Sequence, residues 1–457
     1  MKTDKYLKNY VNGTFVPADS GDYLDNFQPA TGRIANQLPA GAAIDVDRAV
    51  SSARRAWSEW AACGADVRFK VLMRLADVVE QNGDAFARAE CADTGYPLDG
   101  LRTGDLPAAV DHLRAAATAV LHSRNPHRTT THPLGVAGVL LSQRHGFRGL
   151  CRLVAPALAT GNCAVVKPSR TTPAAAYLLA KACLEAGLPP GVLNIVYGTG
   201  EQVGAALAAH PDVDALAAAA RRAVADAVAQ PWCTRPHRLH LEVDGTNAAL
   251  VFGDDDAEKT QIDVLRAAFD HNGAAPFRPT HLLVERAHYA AFREALTKRA
   301  GYLKVGDPTL PLTTNGPTTS QSRLDELRSL LVLAEVHGGQ LLNGGTLPEL
   351  RGELAGGYYL RPAVLEGLAP THEAYAAFTH GPVVTLYPFD DEAAAARLVN
   401  GLADSRCTSI WTNDLARVER LLPQLHTPYV QVNERRTEPD NLTDLLRFYT
   451  RRQRIWR

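Results

Sequence analysis

Gly135-Val136-Ala137-Gly138-Val139-Leu140-Leu141, then Ala155-Pro156-Ala157-Leu158-Ala159-Thr160-Gly161-Asn162, then Cys163-Ala164-Val165-Val166-Lys167-Pro168 follow one another in a single stretch of this chain. The first and third are apolar runs of strand length, and the second closes a helix with a Gly-Asn turn. A buried strand, a helix and another buried strand make a β-α-β unit, which lays its strands parallel and its helix on the sheet face. The order then repeats. Ala174 to Ala186 predicts a helix, Gly187-Leu188-Pro189-Pro190-Gly191 a turn, and Val192-Leu193-Asn194-Ile195-Val196-Tyr197 the next strand. That strand runs into Gly198-Thr199-Gly200-Glu201-Gln202-Val203-Gly204. The spacing of Gly198, Gly200 and Gly204 fits a dinucleotide-binding turn but says little alone.

Working outward, residues 10–40 read as short strands punctuated by Asn12-Gly13 and Thr31-Gly32 turns. From Asp45 to Gly95 apolar residues recur at three and four, as in Val46, Ala49, Val50, Ala53 and Trp57, and again from Phe69 to Val79. This predicts a pair of amphipathic helices, with Asp45 as an N-cap and Asn82-Gly83 as a helix end. Ala215 to Ala229 is alanine-rich and predicts a plain helix.

A chain of 457 residues with 46% hydrophobic content has room for two or three domains with substantial cores. Its net charge of -1, with no long basic or acidic run, speaks against bulk electrostatic binding to nucleic acid or membrane. The start, Met1-Lys2-Thr3-Asp4-Lys5-Tyr6, is polar and no long apolar span follows, so a cytoplasmic location is expected. Seven scattered cysteines form no CxxC or Cys/His cluster, so no metal site is expected and reduced, buried thiols are the plain reading. Cys233, two residues before Arg235, and Cys407, beside Arg406, each have a cation that could activate a thiol.

Several further segments resemble the aldehyde dehydrogenase superfamily. Leu241-Glu242-Val243-Asp244-Gly245-Thr246-Asn247 resembles L-E-L-G-G-K-N/S, and Gly356-Gly357-Tyr358-Tyr359-Leu360-Arg361-Pro362-Ala363-Val364 resembles G-Y-F-x-x-P-T-V. Gly306-Asp307-Pro308 with Asn315-Gly316-Pro317, Gly381-Pro382-Val383-Val384 and Val432-Asn433-Glu434 fall at similar intervals. The resemblance implies an α/β fold with two parallel-sheet α/β domains and a small oligomerisation element. It places a cofactor-type domain at 1–121 and 134–244, a catalytic-type domain at 245–434, and the oligomerisation element at 122–133 and 443–457.

The same resemblance locates a reaction site and empties it. Ala268-Phe269-Asp270-His271-Asn272-Gly273-Ala274-Ala275-Pro276 lies where the family carries F-x-N-x-G-Q-x-C, and the thiol position falls on Pro276. A prolyl ring has no ionisable proton and cannot form the thiohemiacetal that opens the family's reaction. The oxyanion asparagine maps to Arg144, whose length and fork place donors elsewhere. The general base survives as Glu242, with local pairing its structural alternative. Among cofactor contacts, Lys167 matches a ribose-binding lysine, but the acid expected three residues on is Arg170. The phosphate-facing helix start falls on Ala220-Arg221-Arg222-Ala223-Val224-Ala225, where a Cβ replaces glycine, and the nicotinamide-ribose glutamate maps to Phe378.

Arg144, Arg170, Arg221, Arg222 and Arg278 therefore all fall at or beside positions lining the family's clefts, where a cluster of cations needs solvent or an anionic guest. These departures predict a catalytically inactive pseudoenzyme, with no cofactor or at most NAD(P), assembling with itself or with an active paralogue. The two other readings are an NAD(P)-dependent aldehyde dehydrogenase using another group such as Cys233, and an anion-binding module using the arginine-lined cleft.

Overall fold

The computed structural model describes residues 1–122, 129–234, 238–254 and 257–454. Ten strands fall in the first half: β1 (Asn9–Val11), β2 (Thr14–Val16), β3 (Tyr23–Gln28), β4 (Arg33–Pro39), β5 (Thr129–Pro133), β6 (Val136–Leu141), β7 (Cys163–Lys167), β8 (Leu193–Ile195), β9 (Ala215–Arg221) and β10 (Leu239–Asp244). Seven of them form one sheet in the order β10-β9-β6-β7-β8-β1-β2. β10 through β8 run parallel, and the β1–β2 hairpin closes the edge antiparallel. β6 and β7 are buried along their whole length because helices cover both sheet faces, which is why their sequences are apolar without alternation. β3 and β4 form a separate two-stranded ribbon over residues read as hairpin strands.

The second half contributes β11 (Ala248–Val251), β12 (His281–Glu285), β13 (Gln340–Asn343), β14 (Ala363–Glu366), β15 (Val383–Phe389), β16 (Cys407–Trp411) and β17 (Tyr429–Val432). They form a second sheet in the order β13-β14-β15-β12-β11-β16-β17, parallel except for β13. A last strand, β18 (Thr450–Arg454), pairs antiparallel with β5 and makes a ribbon of its own. Part of the segment expected to shape that element, 123–128, lies outside the described residues. No helix of the described residues is long and apolar enough to cross a membrane.

The alanine-rich segment corrects the sequence reading. Ala215–Arg221 is a strand, and only Arg222–Ala229 is a helix. Alanine favours helix in isolation, but here it completes a sheet between β6 and β10, where Ala215 to Ala219 are at most 1% exposed. Small side chains let the helices on both faces pack close, and that packing overrides local propensity.

The crossover order decides where a ligand can sit. β6, β7 and β8 step one way across the first sheet and β9 and β10 the other, so the carboxyl ends of β6 and β9 flank a topological switch point. The turn Ser142–His145 leaves β6 there, and the helix Arg222–Ala229 starts there from β9.

Candidate active site

The helix Ala257–Gly273 breaks its regular geometry at Asp270, and His271 and Asn272 both adopt left-handed backbone angles, each with φ 54°. Two consecutive non-glycine residues in that region need outside support. Asn272 supplies it: its amide donates to the carbonyls of Gly95 (2.9 Å) and Pro317 (2.8 Å), and its oxygen accepts from the Gly316 amide (2.7 Å). At Gly273, φ is +68° and a Cβ would lie 2.2 Å from the Gly381 carbonyl oxygen, so the chain here requires glycine.

The turn that follows carries Pro276 and is held from both sides by arginines. Arg144 donates to the carbonyls of Ala274 and Ala275, each at 3.0 Å, and its Nη1 lies 3.4 Å from Asp244. Arg278, 1% exposed, donates to the carbonyls of Ala268, Gly381, Phe378 and Val383. Both were expected to line an anion-binding cleft. Arg278 instead donates to backbone carbonyls of its own chain, and so do two of the three Arg144 nitrogens, an acceptor set that side-chain identity does not reveal; Arg144 still lines the cavity beside Pro276. Phe378 is likewise buried in the core of the second sheet.

Glu242, on β10, is 1% exposed and receives a two-pronged ion pair from Arg152 of the helix Gly146–Ala159, at 2.7 and 2.6 Å. Asn441 donates to it at 3.1 Å, and His240 lies 3.1 Å away. Burial pushes this carboxyl upward, but Arg152, with His240 and Arg406, outweighs burial and holds it well below the usual carboxylate range. Glu242 is thus a fixed anion of low basicity, the pairing that its structural reading implies.

The remaining arginines are dispersed. Arg170 is exposed after β7. Arg221 and Arg222, both exposed, lie at the switch point: an Arg221 nitrogen is 3.2 Å from His380, and Arg222 pairs with Asp404 across the two sheets. Lys167 ends β7 with 7% exposure and donates to the Pro168 carbonyl at 2.8 Å; burial pulls its ammonium down to about 8. Gly204 faces the Lys167 stem, and Gly200 borders open space. Gly198 has φ +149° with Val203 and Gly41 packed against it, so its glycine serves the chain's own packing.

A dinucleotide fits this ground on three observations: the switch point, the exposed Arg221-Arg222 cations opening the helix Arg222–Ala229, and a buried lysine at the carboxyl end of β7 that donates to a backbone carbonyl. The Arg222–Asp404 pair is largely solvent-exposed and contributes little, so a phosphate could replace it.

Beside Pro276 lies a cavity of about 40 Å³, room for a few water-sized groups. Glu90, Tyr96, Asp105, Arg144, His145 and His271 line it with Pro276. It shares Tyr96, Asp105 and His271 with a cleft of about 1030 Å³. Glu90 Oε2, Tyr96 Oη and His271 Nδ1 are buried here without a hydrogen-bond partner, and Arg144 Nη1 and His145 Nε2 have only long ion-pair contacts, to Asp244 at 3.4 Å and Glu242 at 3.7 Å. So many unsatisfied polar atoms around one cavity mark a place prepared for a polar guest. Among the described residues, no cysteine lines the cavity or the cleft. Cys407 is buried, its thiol pushed up to about 12, and Cys233 is exposed elsewhere on the first sheet's domain. The sequence reading missed Glu90, Tyr96, Asp105 and His271; only the Asp270-His271 pair inside the nucleophile segment hinted at them.

Residues 15–443 match the sequence model of the aldehyde dehydrogenase family. The chain belongs to the aldehyde dehydrogenase family. Among curated relatives of this family member, the 2-aminomuconic semialdehyde dehydrogenase of Danio rerio is 32% identical over 449 residues, covering 94% of this chain and 91% of the relative. The 2-hydroxymuconic semialdehyde dehydrogenase of Pseudomonas sp. (strain CF600) is also 32% identical, with 94% and 91% covered. Among solved structures, a mutant of aldehyde dehydrogenase C from Pseudomonas syringae, complexed with NAD+ and octanal, superposes with a TM-score of 0.93 at 26% identity, covering 99% of this chain and 98% of that one. HpcC from Thermus thermophilus gives 0.93 at 30% identity, with 99% and 93% covered.

These relatives bear out the family and the two-sheet α/β fold. They overturn the expectation of an inactive structural subunit, because the family members matched along more than nine tenths of this aldehyde dehydrogenase family chain are named for oxidising semialdehydes. The expectation of no cofactor fares no better, since solved relatives carry NAD+.

Proposed function

We propose that this chain is an NAD(P)-dependent dehydrogenase that oxidises an aldehyde to a carboxylic acid. The observation that carries this reading is the family match over residues 15–443, joined to relatives named for semialdehyde oxidation along almost the whole chain. Lys167 would bond a ribose hydroxyl, and Arg221 and Arg222 would hold the phosphates. The nicotinamide, when bound, accepts the hydride. Glu242 sets the electrostatics of the site as a fixed anion paired with Arg152.

In this reading the chain departs from its family at the nucleophile, since Pro276 offers no sulfur and, among the described residues, no cysteine borders the cavity. Self-association through the β5–β18 ribbon is part of the same proposal, and light scattering on the purified chain reports it as a mass above one subunit.

The test is NADH or NADPH formation with a panel containing an aromatic aldehyde, octanal and a dicarboxylic semialdehyde. The expected result is aldehyde-dependent reduction of cofactor that survives a thiol alkylator. Absence of reduced cofactor with every member of the panel would remove the reading.

A further inference from the structure

In the broken helix end, His271 is the residue whose surroundings the family resemblance leaves unexplained. Its Nε2 lies 2.7 Å from Asp105 Oδ2, and its Nδ1 is buried with no hydrogen-bond partner. The ring stands edge-on to Tyr96, with centroids 5.3 Å apart. Asp105 is itself steadied by Arg148, 3.6 Å away. An imidazole oriented by a carboxylate through one nitrogen, with the other nitrogen unspent, is the arrangement of a general base.

The cavity supplies the other half of a reaction. Tyr96 Oη is a donor without a hydrogen-bond partner, and Arg144 Nη1 has only the 3.4 Å ion-pair contact with Asp244; both are suited to an oxygen that gains negative charge. Glu90 is 5% exposed; its Oε1 accepts from the Phe147 amide at 3.1 Å and its Oε2 is unspent. Burial, and then Asp93, push this carboxyl up to about 8, so it keeps its proton near neutrality. For His271, burial pulls downward, but Asp105 outweighs it and raises the ring above its usual value, which strengthens it as a base.

We propose that His271, oriented by Asp105, is the catalytic base of an aldehyde-hydrating site in the cavity beside Pro276, so that water takes the place the family gives to a thiol. This rests on the dehydrogenase reading for its place in the overall reaction. Its own chemistry needs no oxidant. His271 Nδ1 takes a proton from water as the water oxygen bonds to the carbonyl carbon. The carbonyl π pair moves onto its oxygen, which Arg144 and Tyr96 stabilise and which takes the proton of Glu90. The product is the geminal diol, one water added and nothing oxidised or reduced, and Glu90 regains its proton from His271 through solvent. The diol retains the C–H bond whose hydride a nicotinamide accepts. Asp105 is a positioning residue in this scheme.

Hydration is reversible, so a hydrating site exchanges the carbonyl oxygen of an aldehyde with solvent. The experiment incubates the full chain, without cofactor, with an aromatic aldehyde in ¹⁸O-water and follows the label by mass spectrometry. The expected result is exchange faster than in buffer, falling about a hundredfold toward background in His271→Asn and about tenfold in Asp105→Asn. Asparagine tolerates the left-handed backbone at 271, and circular dichroism checks the fold. If His271→Asn does not fold, Glu90→Gln and Asp105→Asn carry the test, each expected to slow exchange. Wild-type exchange at the buffer rate, or undiminished exchange in the folded variants, would overturn the proposal. Parallel measurement of reduced cofactor separates the two readings. Exchange without reduced cofactor sinks the dehydrogenase and leaves the hydrating site standing, whereas full cofactor reduction by His271→Asn sinks the hydrating site alone.

Discussion

Glu90 and Glu438 are two buried carboxyls with opposite consequences for stability. Glu90 is ionised in the unfolded chain above about pH 4.3 but not in the folded chain until about 8. The folded state therefore binds more protons between those values, and stability declines as pH rises through that window. Glu90→Gln removes the effect: its unfolding free energy, followed by urea titration, should lose a downward slope of roughly 1.4 kcal/mol per pH unit between about pH 5 and 8. Burial also pushes Glu438 upward, but His112, Arg152 and Arg148 hold it down at about 2. Its contribution is complete above about pH 4.3 and is lost as pH falls toward 2. Glu438→Gln should be less stable than the natural chain at neutral pH, with the difference gone by about pH 2. At this scale the sequence reading put Pro276 at the nucleophile position and Glu242 as the surviving acid, and the structure adds the Arg152 pair that fixes Glu242 as an anion. The sequence reading misplaced Arg278, because a charged side chain announces its sign but not that backbone carbonyls will receive it, and it did not show that two carbonyls would take Arg144 Nε and Nη2.

At the scale of elements, the broken helix end from Asp270 to Gly273 depends on neighbours far away in sequence. Gly95, Gly316 and Pro317 are locked to Asn272, and Gly381 donates its amide to the Gly273 carbonyl at 2.7 Å. Gly273→Ala sets a Cβ against the Gly381 carbonyl in a left-handed backbone, and should cost roughly 1–3 kcal/mol. The accompanying readout is the ¹⁸O exchange rate, which should fall with the loss of His271 geometry. A variant as stable and as active as the natural chain would show that this turn tolerates rearrangement. The β-α-β order was legible because apolar runs of strand length alternate with helical periodicity. β9 was not, because five alanines and a leucine in a row carry no period, and only their neighbours β6 and β10 decide that they lie in a sheet.

Across the whole molecule, two parallel sheets meet where the Arg221 and Arg222 side chains reach His380 and Asp404. If those cations receive the phosphates of a dinucleotide, Arg222→Ala should weaken NAD+ binding about tenfold by calorimetry, while Arg170→Ala leaves it unchanged. Equal affinity in the two variants would place the phosphates elsewhere. Family and fold were readable from the spacing of motifs along the chain. The cavity was not, since Glu90 and Asp105 meet His271 from a stretch far away in sequence. The measurement that bears most directly on the whole account is aldehyde-dependent formation of reduced nicotinamide by the alkylated chain. The account predicts that it persists with every thiol blocked and disappears in His271→Asn; activity abolished by alkylation, or none with any aldehyde, would contradict it.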